Sequence, residues 1–372
     1  MKAKYKVNKK AQISPVFKYI FMLVVGTIIL IFFIRFAMKT EETGTEVIKA
    51  EVLHALDTAM QAFSVSEYSS GVIPTPPLPQ MIHMQFGTGA NCGKFTILGQ
   101  KFFVPIERVI FGPSEMKMRQ INAWTLAWQF PFKLTNIFYM MNSRSKYYLM
   151  YDDDNVDFVR KISSLSPSTT AFEMEHIPKS FDVKYVNSET EPKTKQKNTA
   201  EIDMVKVNYF IEAEGSCPAG VSPNLKGSCI EISPECDEEG SENYKCYGTV
   251  QFFEGNKRKG ASTFIGRSMM FGAILSDTYE AYECQYELAL SELDRFIEIY
   301  KTKAKKLQIK KTECSEQYSQ IITMLESMQT SLAELQSSPT YENARLLSTA
   351  ANSIKEYNED HLAGDQDCEM LF

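Results

Sequence analysis

The sequence predicts a mixed chain, α+β or α/β, that follows an N-terminal transmembrane helix and ends in a helical hairpin or coiled coil. Three observations predict it. Tyr19 to Ile34 carry no charge. Short aromatic and β-branched runs, separated by turn residues, fill the middle of the chain. From Tyr286 to Leu335, apolar residues recur at steps of four and three.

The first element is the uncharged run. A bilayer core takes about 20 apolar residues in helical form. Val16 and Phe17 extend the run, and Lys18 and Arg35 can reach the headgroups from its ends. A secretory leader would follow its greasy core with small residues at a cleavage site, and "FFIRFAMKTEE" offers none. Residues 1–18 are therefore expected to form a basic cytoplasmic segment and 19–38 a retained membrane helix. Six lysines precede the span, whereas Arg35 and Lys39 are followed at once by Glu41, Glu42 and Glu46. Excess lysine marks the cytoplasmic side, so the bulk of the chain is expected outside a cell membrane that it crosses once.

Charge agrees with that division. Residues 1–39 carry eight basic side chains and no acid, and the remainder carries 32 basic against 46 acidic residues, a net of −14. An acidic body repels phosphate backbones, so no nucleic acid is expected as a partner; the lipid bilayer is.

"KKAQISPVF" (9–17) resembles the class III signal peptide of archaeal type IV pilin-like proteins, in which a basic pair and a small residue precede the cut. The resemblance implies processing between Ala11 and Gln12 that leaves the hydrophobic helix on the mature protein. It also implies a filament or secretion-system subunit.

Residues 39–66 are expected to hold a stalk helix, with Ile48, Val52, Leu56, Ala59 and Phe63 on one face. Residues 67–90 then read as a linker, stiffened by Pro74, Pro76, Pro77 and Pro79. A strand-rich α/β domain is expected over 91–275, with "GKFTILG", "KFFVPIERVIF", "AWTLAWQF", "KYYLMYD", "FDVKYV", "IDMVKVNYFIEAE" and "GTVQFFEG" as strands. "EGNKRKG" is a hairpin turn, and "NVDFVRKISSL" reads as the helix of a βαβ unit. Trp124 and Trp128 are expected in the core.

All eight cysteines lie beyond the membrane run, which suits an oxidising exterior. Cys217, Cys229, Cys236 and Cys246 fall in a Cys-rich loop, 214–247, whose composition gives little means of building a core. Two local disulfides are expected there. Structural zinc usually has close C-x(2–4)-C pairs, and these gaps of eleven, six and nine residues do not.

Residues 276–338 contain neither Gly nor Pro and are expected to form one long heptad helix. Its seam runs Tyr286, Leu290, Leu293, Ile297, Tyr300, Ala304, Leu307, Lys311, Cys314, Tyr318, Ile321, Leu325, Met328, Leu332 and Leu335, with Lys311 as its polar insertion. Residues 339–372 are read as a returning helix and tail, with Ser338 as N-cap and Pro339 in the first turn. Folding back would bring Cys368 to Cys314, leaving Cys92 for Cys284. Such a seam is covered either within the chain, as a helical bundle, or by a protein partner or self-association over 286–335; the returning helix is too short for all of it, so the part near 286–311 is expected to meet the α/β domain, the stalk helix or another protein.

Chemistry is nearly absent. His54, His83, His176 and His361 stand singly, and no nucleophile elbow or phosphate loop occurs. Asp152, Asp153 and Asp154 at a strand's end could hold a metal ion, although the same residues make an ordinary helix cap. No enzyme activity and no cofactor are expected. The reading is a binding or assembly protein at a prokaryotic surface.

Overall fold

In the computed structural model the described residues are 27, 30, 31, 58, 61, 68–73, 82–97, 104–105, 108–118, 121–141, 145–151, 182–187, 204–209, 226–236, 245–254, 257–362 and 368–372. The chain divides into residues 1–54 and 55–372. In the first unit Thr27, Leu30 and Ile31 are helical, and Leu30 and Ile31 are exposed. The rest of the 19–38 span and the Ala11–Gln12 position lie outside the described residues. Among the described residues no helix is long and apolar enough to cross a membrane.

The second unit mixes strands and helices. One sheet is ordered β1 (Tyr68–Ile73), β7 (Ile121–Gln129), β8 (Lys133–Met141), β5 (Ile110–Phe111). A second is ordered β4 (Val104–Pro105), β3 (Lys94–Ile97), β2 (Ile82–Phe86), β6 (Glu115–Met118). The largest runs β10 (Asp182–Asn187), β9 (Ser145–Tyr151), β11 (Met204–Tyr209), β12 (Lys226–Cys236), β13 (Cys246–Glu254), β14 (Lys257–Ile265). Its first four strands are parallel and its last two pair antiparallel. Parallel neighbours need crossover connections, as the βαβ reading required; the 155–165 helix of that reading lies outside the described residues. Four helices follow: α1 (Gly266–Leu275), α2 (Tyr279–Lys310), α3 (Ser315–Ser337) and α4 (Tyr341–Tyr357).

Two expected boundaries are corrected. The 67–90 linker contains two strands: β1 pairs with β7 from Tyr68↔Leu126 to Ile73↔Ile121, and β2 is an inner strand of its sheet. Partners across the sheet override the weak strand propensity of "YSSGVI". The Cys-rich loop 214–247 includes the eleven-residue strand β12, whose Ile230 and Ile232 are buried. Within the expected 91–275 α/β domain, residues 266–275 form α1.

Apart from Arg267 and Ser268, α1 is built of glycine and apolar residues, and nine of its ten residues are buried, as expected for a helix inside a core. It packs against β7, β8 and β5 of the first sheet and against β13 and β14 of the largest. Tyr139 Oη donates to the Ser268 carbonyl at 2.7 Å, and Ser268 Oγ donates to the Ala127 carbonyl at 3.1 Å. Gly272 is required by proximity, since a Cβ there would lie 2.6 Å from the Phe111 ring. Trp124 and Trp128 are 3% and 0% exposed in the same core.

The long helix expected over 276–338 is also corrected. Lys311 leaves the helical conformation at φ −115° and ψ 78°, a short 3₁₀ turn covers Thr312–Cys314, and α3 runs back along α2. Gln308 Nε2 donates to the Ser315 carbonyl at the turn, and far from it Gln329 bonds to both Asp294 and Lys301. A straight rod would leave its apolar seam in water; a hairpin buries it on itself. The N-cap of α4 is Thr340, whose Oγ1 accepts from Asn343 N at 3.3 Å, rather than Ser338.

Candidate functional site

The structure brings the sulfurs of Cys92 and Cys284 into one disulfide and those of Cys314 and Cys368 into another. Cys236 is joined to Cys246 across the β12–β13 pair, and Cys229 is also disulfide-bonded. Cys217 and the three aspartates Asp152, Asp153 and Asp154 lie outside the described residues. Among the described residues no group of three or more His, Cys, Asp or Glu is placed to hold a metal ion.

Two of these links frame α2, where the elements of the second unit meet. The helix starts at Thr278, whose Oγ1 accepts from Ala281 N at 3.2 Å. Its first turns are braced by four separate contacts. Asp277 takes Ser114 N at 2.7 Å and Ser114 Oγ at 2.9 Å; Gln285 Oε1 takes Ile110 N at 2.8 Å. Tyr282 Oη donates to the Thr263 carbonyl at 2.7 Å, and Cys284 carries the disulfide to Cys92. Strands β5 and β14, the β5–β6 connection and the β2–β3 connection are thus fastened to the start of α2 and the residues just before it. The phenols of Tyr139, Tyr282 and Tyr286 are pushed up by burial, so none supplies a phenolate near neutral pH. They serve as hydrogen-bonding members of the core.

Further along, α2, α3 and α4 pack side by side. The seam residues Leu290, Leu293, Ile297, Ala304, Tyr318, Ile321, Leu325, Met328, Leu332 and Leu335 are buried within the chain itself. The seam is thus covered by the chain's own helices, the intramolecular alternative of the sequence reading.

The last described residues close over this bundle. Asn358, 1% exposed, holds them from both sides of its amide: Oδ1 accepts from Leu371 N at 2.8 Å and Nδ2 donates to the Phe372 carbonyl at 3.0 Å. Lys303 Nζ donates to the Leu371 carbonyl at 2.6 Å. Tyr318 Oη accepts from Glu369 N at 2.8 Å, and Cys368 is tied to Cys314. The Phe372 ring sits 5.3 Å from Phe132 and 5.5 Å from Tyr300.

Sequence reasoning missed the charge distribution of α2. Residues 279–300 hold six acids and one base; residues 301–311 hold six lysines and no acid. Lys301 is engaged by Glu298 and Gln329, and Lys303 by the tail. Lys305, Lys306 and Lys310 are exposed and make no ion pair or hydrogen bond among the described residues. Ile309, between them, is 80% exposed. These four positions fall on one side of the helix because they are spaced 305, 306, 309, 310.

No family model, no curated protein and no solved structure matches the chain.

Proposed function

We propose that the chain is a single-pass membrane-anchored protein whose disulfide-stapled body lies outside the cell and serves in binding or assembly at a prokaryotic surface. One observation carries this reading: a chain that opens on a lysine-flanked uncharged run has all eight cysteines behind it, and among the described residues no cysteine is free. Disulfides persist outside the reducing cytosol, so the run and the cysteines point to the same topology by independent chemistry. The braced start of α2 and the clasped tail suit a rigid scaffold that presents a surface. They supply no group poised for catalysis.

Alkaline carbonate extraction of native membranes tests the anchor, and mass spectrometry of the non-reduced protein tests the compartment. Retention in the pellet with intact Cys92–Cys284 and Cys314–Cys368 links is the expected result. Recovery of a soluble chain with reduced thiols overturns the reading. The resemblance at "KKAQISPVF" favours a second, narrower reading as a pilin-like subunit. For that reading the mature N-terminus must be Gln12, and a retained 1–11 segment rejects it.

A further inference from the structure

We propose that the outward face of the distal half of α2, formed by Lys305, Lys306, Ile309 and Lys310, is a docking surface for an anionic lipid bilayer. The proposal deepens the membrane-anchored reading and takes from it only that a bilayer is at hand.

Helix electrostatics do not account for the lysines. The negative end of a helix dipole rewards cations within the last turn, which covers Lys310 but not Lys305 or Lys306. Internal pairing does not account for them either, because none of the three has an ion pair or hydrogen bond among the described residues. The acids nearest to them in sequence are Glu298, which attracts Lys305 through space without an ion pair, and Glu313 and Glu316 past the turn. Nor does packing explain Ile309, which stands 80% exposed in the middle of the lysines while the opposite side of the same turn, Leu307, is buried.

The combination selects the partner. Clustered lysines gain from the negative potential of anionic headgroups, and an apolar side chain among them can enter the boundary between headgroups and acyl chains. A helix face meets a flat array of anions without needing a shaped groove. The rest of the body, strongly acidic outside residues 301–311, is repelled by the same surface. The lysine face would therefore also orient the body.

The test uses the full chain in lipid nanodiscs, one set of phosphatidylcholine alone and one with about one-third phosphatidylglycerol. Amine acetylation is read residue by residue by mass spectrometry, with the exposed Lys257 at the start of β14 as internal reference. Acetylation of Lys305, Lys306 and Lys310 should fall about threefold or more in anionic discs relative to Lys257. It should recover in about 0.5 M NaCl, where screening shortens to roughly 4 Å. In Ile309→Ser, protection of Lys305 and Lys310 should weaken. Equal acetylation in both disc types overturns the proposal. So does protection that is independent of lipid charge, which would assign the face to an acidic protein or a second copy. If the chain fails to enter discs at all, the anchor reading has failed separately. The face is then tested by flotation of the same chain with vesicles of the two compositions: flotation with anionic vesicles alone supports it, and no difference between the two overturns it.

Discussion

The two halves of α2 belong to one continuous helix and face opposite problems. Its first half is surrounded: Tyr282 and Tyr286 are buried against β14, Gln285 is spent on a backbone amide of β5, and Cys284 is covalently fixed. Its second half is buried on one side only, by Ala304 and Leu307, and offers lysines and an isoleucine on the other. Helical periodicity alone does not separate them, because both halves keep the same apolar steps. The difference lies in what occupies the remaining positions. In the first half these positions bond to strands and connections of the fold; in the second Lys301, Lys303 and Gln308 bond to the bundle and the tail, while Lys305, Lys306 and Lys310 have no hydrogen bond or ion pair among the described residues. That contrast divides holding the body together from meeting something else.

The contrast is broken most severely by unfastening the first half. Replacing Cys92 and Cys284 by Ala removes a link spanning 192 residues of sequence. In the chain-entropy account this costs on the order of 4–5 kcal/mol. Denaturant unfolding of the double variant measures it. A loss under about 1 kcal/mol would mean that Asp277, Gln285 and the tyrosines fasten the helix without the disulfide.

A matched pair of truncations sharpens the contrast between the inner and outer sides. Leu293 is fully buried, and Leu293→Ala should cost about 3–4 kcal/mol through lost burial and a residual cavity. Ile309→Ser should change stability by less than about 0.5 kcal/mol. Equal losses in thermal or denaturant unfolding would place Ile309 in a buried contact and remove the distinction.

The sequence made some of this legible. The apolar seam from Tyr286 to Leu335 was readable because periodicity reports which side of a helix is covered. It did not report the turn, because positions 307, 311, 314 and 318 keep the four-and-three steps across a break without Gly or Pro. The single polar position in the seam, Lys311, was the available signal, and it sits where the helix ends. The six lysines of 301–311 were equally visible, but only the fold tells which are spent and which face outward. Strand β1 and the brace residues Asp277 and Gln285 were illegible for another reason. Their roles are set by partners far along the chain, 163 residues away for Asp277 and 175 for Gln285, and local propensity carries no trace of such partners.

The tail clasp gives a smaller test on the distal side. Asn358→Ala removes both amide contacts to Leu371 and Phe372, leaving a buried N–H unpaired, at about 1–3 kcal/mol. Hydrogen exchange over 369–372 should accelerate in the variant while exchange at the start of α2 stays unchanged. Acceleration in both would mean that the two halves open as one unit.

The smallest expected effect is a gain in stability, on the proximal side. Glu283 is half-buried one turn before Glu287, and its Oε2 makes no hydrogen bond. Burial raises its pKa above the ordinary 4.5, repulsion from Glu287 adds to that, and the Ser262 hydroxyl works against it. The folded state therefore prefers the protonated carboxyl. Its contribution is complete below the unfolded pKa and is lost as pH rises through the folded one. At neutral pH the wild type bears the burial penalty of an ionised carboxylate, and Glu283→Gln, an uncharged mimic of the acid form, does not. Thermal unfolding should find Glu283→Gln the more stable at pH 7, with the gap closing as pH falls toward 4.5. A gap that is absent at pH 7, or widens in acid, would mean that the carboxylate is solvated and that even the fastened half of α2 keeps one open side.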